Sequence, residues 1–206
     1  MLHVWGRRNS INVMKVLWCL DELGVEYQRS EAGLQHGVVD SPEYRAMNPN
    51  GRVPTIVDDG FVLWESNAIV RYLCAKHAAG TWWPVDPQAR AVAEQWMDWQ
   101  HTVLLADMTV VFWGLVRTPP EKRDPERIAQ AAVGAGRSFA MLDAALTGKD
   151  YLLGDAISMG DIPLGAFAWR WSALDIERPH LPAVEAWLAR LKARPAFQQH
   201  VMLPLT

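Results

Sequence analysis

Ser10, Glu65 and Ser66 stand where helix-like stretches begin, and polar side chains in that position can do chemistry. The first turn of a helix carries unpaired N–H groups and partial positive charge. A hydroxyl there can donate to a bound anion while the helix end adds a favourable field. A thiol with a pKa near ~8.5 is only a few per cent ionised at neutral pH. Lowering that pKa by ~2 units requires about 2.7 kcal/mol of preference for the thiolate. A charge-assisted hydrogen bond supplies roughly 1.5–3 kcal/mol and a helix end roughly 0.3–1. Ser10 and its helix therefore suffice, without a metal or a general base. Glu65 and Ser66 fit an α-amino acid head group: Ser66 can take the carboxylate and Glu65 the ammonium. Taken alone, these two residues fit a helix-capping serine and a solvated glutamate even better.

The stretch VPTIVDDGFVLWES, residues 53–66, adds a backbone contact. Pro54 stands at the mouth of an apolar run. A cis Val53-Pro54 bond would turn the chain and point the Val53 N–H and C=O outward, ready to pair with a peptide-like ligand. A trans proline at the start of an edge strand is the commoner arrangement. The surrounding pattern favours cis.

That pattern divides the chain in two. Leu2–Trp5 reads as a strand, ended by Gly6-Arg7-Arg8-Asn9. Ser10–Leu23 shows helical spacing between a good N-cap and Gly24. Val25–Arg29 is a second strand, and residues 31–50 are loop-like around a turn of helix at Pro42–Met47. Val53–Val57 and Phe61–Leu63 flank an Asp-Gly hairpin turn, and Ser66–His77 is a helix. This order predicts a thioredoxin-like domain over residues 1–78, a mixed four-stranded sheet with helices. Residues 79–87 read as a linker, and residues 88–206 as an all-helical domain. Its helices are expected at Gln88–Val116, from Asp124-Pro125 to Leu146, at Ile162–Trp171 behind a capping box at Ser158–Asp161, at Pro182–Ala193, and from Pro195.

Composition narrows the partners. Half the residues of this 206-residue chain are hydrophobic and 21% are charged, enough for a substantial core. The net charge is −3 and no lysine/arginine run occurs, so nucleic acid is not expected as a partner. Val103–Val116 is interrupted by Asp107 and short for a membrane span. Cys19 and Cys74 are far apart in sequence, each within a helix-like stretch, so neither a disulfide framework nor a metal site is expected, and a cytoplasmic location fits. Cys19 reads as a small core residue.

The residues RRNSINVMKVLWCLDELGVEY, PEYRAMNPNGRVPTIVDDGFVLWESNAIVRYL and SMGDIPLG together resemble the glutathione transferases, over both expected domains. NSINV resembles the serine-type, nu/theta-like bacterial members. The resemblance implies glutathione as co-substrate, with Ser10 holding its sulfur as thiolate and Asn12 as a second polar contact. It implies that Val53, beside Pro54, pairs its backbone with the cysteinyl unit, that Glu65 and Ser66 grip the γ-glutamyl head, and that Arg52 meets the glycyl carboxylate. Gln35 or His36 is implied as a helper. No tyrosine lies near the first strand and no cysteine opens the first helix, which sets this chain apart from tyrosine-type and glutaredoxin-like relatives. A hydrophobic electrophile would bind against the helical domain. Trp96, Trp99, Met108, Phe112, Trp113, Arg117, Trp169 and Trp171 are candidate walls, with Met108, Phe112 and Trp113 preferred. Reduction of a disulfide or hydroperoxide by the same thiolate, or ligand binding without catalysis, are the alternatives. A homodimer is expected, through Phe61 and Val62 and through Arg71 facing Glu94 and Asp98 across the axis.

Overall fold

The computed structural model describes residues 1–206. Strand β1 (Leu2–Trp5) runs parallel to β2 (Tyr27–Ser30) and antiparallel to β3 (Thr55–Asp58), which pairs antiparallel with β4 (Phe61–Trp64). The sheet is therefore mixed and four-stranded, in the order β2-β1-β3-β4. Helices α1 (Ile11–Glu22), α2 (Pro42–Met47) and α3 (Ser66–His77) complete this half. Two strands start later than the sequence pattern suggests. β2 begins at Tyr27 because Val25 is used to finish α1: Gly24 turns the chain at φ 63° and the Val25 N–H donates to the Leu20 carbonyl at 3.0 Å. β3 begins at Thr55 because Pro54 brings no N–H to a ladder.

The second half is helical. Asp86 caps α4 (Pro87–Trp99), its carboxylate accepting from the Ala89 N–H at 2.8 Å with Pro87 at the first position. The expected single helix over Gln88–Val116 is interrupted twice. Gln100–Leu104 and Trp113–Arg117 are π-turns on either side of α5 (Leu105–Phe112). Each π-turn inserts extra backbone into the α pattern and rotates the side chains that follow. Then come α6 (Pro125–Leu146), α7 (Asp161–Ala173), α8 (Pro182–Lys192) and α9 (Pro195–His200). No helix is long and apolar enough to cross a membrane.

One hydrophobic core of 42 buried residues runs through both halves, so they are not independent units. Helix α1 is its spine. It packs on α3 from one side and on α7 and α9 from the other. Trp18 meets the Phe197 ring edge-on at 4.8 Å. Gly165 lets α7 come close, since a Cβ there would lie 2.7 Å from Leu191 Cδ1 and 3.0 Å from Trp18 Cη2. Cys19 on α1 and Cys74 on α3 are buried free thiols whose sulfurs lie 3.7 Å apart, neighbours despite their distance in sequence. The Cys74 contact and burial push the Cys19 thiol well up, away from the reactive thiolate.

One expectation about the surface needs correction. Arg71 pairs with Asp98 of its own chain and donates to the Glu94 carbonyl at 3.4 Å, because α3 and α4 bring them together within one subunit. It is not a free cation waiting for a partner. Phe61 contacts Tyr72 of its own chain at 5.2 Å between centroids, yet remains 49% exposed.

The Ser158–Asp161 motif does not cap α7 as the sequence suggests: the N-cap is Gly160, with no side-chain capping bond, and the motif is spent on the interior. Asp161, fully buried, accepts from the Ser158 N–H (2.9 Å), the Ser158 hydroxyl (3.0 Å), the Leu152 N–H (3.0 Å) and Trp187 Nε1 (2.9 Å). Burial pushes its carboxyl up while these donors oppose the shift. Replacing it strands several buried donors at once. Asp161→Ala is therefore expected to lose on the order of 3 kcal/mol or more in urea unfolding. A loss below ~1 kcal/mol would mean that water or rearranged backbone can take its place.

Candidate functional site

A cleft of about 700 Å³ lies between the sheet half and the helical half. Ser10, Asn12, Arg52, Val53, Pro54, Glu65 and Ser66 line one side, and Met108, Phe112, Trp113 and Arg117 the other. Ser10 is the N-cap of α1 in extended conformation (φ −82°, ψ 122°), and its carbonyl accepts the first helical bond, from Met14, at 2.8 Å. Its hydroxyl makes no capping hydrogen bond and is left for a ligand.

Val53 is held by its neighbours' contacts. The Val53–Pro54 bond is cis, and the Val53 N–H and C=O make no backbone hydrogen bond within the chain. On either side the chain is pinned. The buried Tyr44 hydroxyl donates to the Arg52 carbonyl at 2.7 Å and lies 2.9 Å from Thr55 Oγ1. Asn48 Nδ2 reaches the same two oxygens at 2.9 and 3.0 Å. Tyr44 and Asn48 thus fix the segment that presents Val53.

At the start of α3 the N-cap is Glu65, not Ser66 as the sequence suggests. Glu65 adopts φ 72°, ψ 110°, a region that costs a non-glycine residue on the order of 1–3 kcal/mol. Ser66 is the first helical residue, and its hydroxyl donates to Asn12 Oδ1 at 3.3 Å. Glu65 is exposed and Ser66 buried, so the pair offers a carboxylate above a recessed hydroxyl and helix end. His36 does not line the cleft. Its Nε2 sits 3.0 Å from Gln35 and 3.6 Å from Glu31, on a 3-10 turn of the exposed loop. Trp96 and Trp99 pack edge-on against each other at 5.0 Å, and Trp171 stacks on Phe139 at 5.0 Å. Neither these three nor Trp169 lines the cleft.

Residues 1–75 match the family model "Glutathione S-transferase, N-terminal domain", and residues 105–195 match "Glutathione S-transferase, C-terminal domain". The chain belongs to the glutathione S-transferase family. Among curated relatives, Glutathione S-transferase GstB of Escherichia coli (strain K12) is 40% identical over 208 residues, with all of both chains covered. Glutathione S-transferase D7 of Drosophila melanogaster is 30% identical over 87% of this chain and 79% of its own. Among solved structures, the theta class glutathione S-transferase of Xanthomonas axonopodis pv. citri with glutathione bound superposes with a TM-score of 0.95. It is 51% identical, covering 100% of this chain and 99% of that one.

Several site residues of this glutathione S-transferase escaped the sequence reading. Lys15 lies on α1, fully buried behind the site. Its ammonium donates to Gln100 Oε1 (3.0 Å), Asn67 Oδ1 (3.2 Å) and Ser66 Oγ (3.5 Å). Arg170 on α7 and Arg7 after β1 line the cleft. The available signal was a lone cation in an apolar helix: Lys15 in INVMKVLWCL and Arg170 in IPLGAFAWRW.

Burial, helped by Arg170, drives the Lys15 pKa from 10.5 down to about 7, while Glu65 opposes the shift. Between these values the unfolded chain holds a proton that the folded chain has released. Stability should therefore rise with pH across that window, by up to about 1.4 kcal/mol per unit. Urea unfolding of the wild type and Lys15→Met at pH 7.5, 8.5 and 9.5 is expected to show the wild type gaining on the variant at each step. A constant difference would show that the buried ammonium stays charged.

Proposed function

We propose that this protein is a glutathione transferase in which Ser10 stabilises the glutathione sulfur as a thiolate for attack on an electrophile with an apolar body. The observation that carries the reading is the unpartnered Ser10 hydroxyl at the head of α1, in a cleft that also gathers Arg52, Val53, Glu65 and Ser66. The glutathione-bound relative from Xanthomonas, 51% identical, supports the choice of thiol. Bound glutathione supplies the sulfur nucleophile. Val53 offers its free N–H and C=O to the peptide backbone, Arg52 its guanidinium to the glycyl carboxylate, and Glu65 and Ser66 the two contacts for the γ-glutamyl head. Asn12, whose Oδ1 is taken by Ser66, keeps its amide N–H groups as a second donor near the sulfur.

In the division of labour, residues 1–78 hold glutathione, residues 79–87 connect, and residues 88–206 supply the electrophile wall with Met108, Phe112 and Trp113. The connector is tied down, since the Met159 N–H donates to the Trp82 carbonyl at 3.0 Å. Buried free thiols fit a cytoplasmic setting.

Ser10→Ala is expected to raise the pKa of the bound thiol by on the order of 1–2 units and to lower conjugation at neutral pH, with little change in glutathione affinity. Ultraviolet titration of the bound thiolate measures this, and an unshifted pKa would transfer the role to Asn12 or to backbone N–H groups. Parallel assays with an aryl halide and a small disulfide separate transfer from reduction. Faster turnover of the disulfide would make this a reductase on the same site. Because Ser66 is inside α3 rather than at its cap, Ser66→Ala should weaken glutathione binding by more than it destabilises the fold. Isothermal titration and thermal unfolding of the same variant compare the two.

The assembly is a two-fold homodimer, built over the exposed Phe61 (49%) and Val62 (37%) of β4. Sedimentation near 23 kDa at micromolar concentration would reject the dimer, and a dimer undisturbed by Phe61→Glu would reject this surface.

A further inference from the structure

The cleft carries more positive charge than glutathione uses. Arg7, Arg52, Arg117 and Arg170 line it, against Glu65 as the one lining carboxylate. In the reading above, the two carboxylates and the ammonium of glutathione are met from the sheet half by Arg52, by Ser66 with the start of α3, and by Glu65. Arg117 and Arg170 come from the helical half, and no acidic side chain pairs with either.

Arg170 is the clearest case. It is 9% exposed, and no acidic group relieves its burial. Its guanidinium carbon lies 3.8 Å from the centre of the Phe112 ring. The Arg117 guanidinium carbon lies 5.5 Å from the same ring and 5.3 Å from that of Trp113, which is half exposed. Arg117 Nη2 donates to a main-chain oxygen of Thr206 at 2.6 Å, but its Nε is buried without a partner, and so is that of Arg7. Burial, then Arg117 and Arg7, bring Arg170 down to about 9. Arg7 is lowered by burial and by Arg117, with Glu31 opposing. Glu31 is itself engaged by Arg29 at 2.7 Å. Like charges crowded and desolvated in this way are costly to hold. A bound anion flanked by aromatic faces would offset that cost, and guanidinium groups suit planar oxyanions.

We propose that Arg117 and Arg170, with Arg7 at their edge, form an anion site on the electrophile side of the cleft, so that the second substrate carries a carboxylate or sulfonate on an aromatic or apolar body. Phe112 and Trp113 take the body, and the arginines hold the anionic group and so orient the electrophilic carbon toward Ser10. This rests on glutathione as the thiol donor. With an aryl chloride the step balances simply. The thiol proton has gone to solvent, the new C–S bond takes the sulfur electron pair, and chloride leaves with the pair of the C–Cl bond.

The test compares 4-chloro-3,5-dinitrobenzoate with its primary amide. Each kcat/KM is divided by the uncatalysed rate with glutathione, which removes the difference in ring reactivity. The wild type is expected to favour the carboxylate at least tenfold. In Arg170→Gln and in Arg117→Gln that ratio should fall toward one, while Lys192→Gln, a surface cation over the Trp169 ring, should keep it. A wild-type ratio near one overturns the proposal. So does a ratio that survives both arginine variants while the glutathione KM or the bound-thiol pKa rises, since the arginines would then serve glutathione. Loss of conjugation with both substrates would count against the transferase reading alone. The anion site is then read by quenching of tryptophan fluorescence with 3,5-dinitrobenzoate and its amide. Tighter binding of the anion, lost in Arg170→Gln, supports the site, and equal binding rejects it.

Discussion

The site depends on one buried amino group. Helix α1 is surrounded on both sides, and every residue from Val13 to Leu20 is buried. Lys15 is the charged exception in that stretch, and it cannot stay there unpaired. Its bonds reach Ser66 and Asn67 at the start of α3 and Gln100 at the first π-turn of the long helical segment. Asn67 in turn donates to the Met97 carbonyl at 2.9 Å. The polar cluster therefore ties three elements together directly behind the cleft. It holds Ser66 beside Asn12 and sets the spacing between the two helix starts. Such a network rigidifies only while every member is satisfied, which makes it a point of vulnerability as well as of order.

The two faces of the cleft are built by different physics. On the sheet side the groups that line the cleft include the Val53 backbone and the starts of α1 and α3. Their positions come from hydrogen bonds such as those of Tyr44 and Asn48 to Arg52 and Thr55. That arrangement favours a peptide with charged ends. On the helical side the contacts are aromatic rings and guanidinium groups, placed by the two π-turns and by α7. The polarity of the cleft changes across a short distance.

Much of this architecture was legible along the chain. The β-α-β…β-β-α order, the Asp-Gly hairpin, the cap at Asp124 and the end of α3 at His77 all follow from local rules of spacing and turn chemistry. Ser10, Val53, Glu65 and Ser66 could be singled out because their positions relative to element boundaries carry the meaning, whereas Arg52 came only with the resemblance to the family. Where the reading of element ends failed, the geometry of a helix end decided the outcome. Val25 left its strand to close α1, and Glu65 displaced Ser66 from the cap. Among the tryptophans, burial in the core and exposure in the cleft produce the same helical spacing, so periodicity alone could not sort Trp171 from Trp113.

The sequence by itself determined the elements, their order and the residues that sit at helix starts, because propensity, capping and alternation act over a few neighbouring positions. Tertiary structure alone decided which charges meet. Arg7, Arg117 and Arg170 are separated by 110 and 53 positions, and only the docking of α7 and the second π-turn against the sheet half brings them to one cleft. Arg71 and Asp98 were closed into an internal pair by the packing of α3 on α4. Electrostatic interactions depend on distance through space and on burial, and neither can be read from distance along the chain.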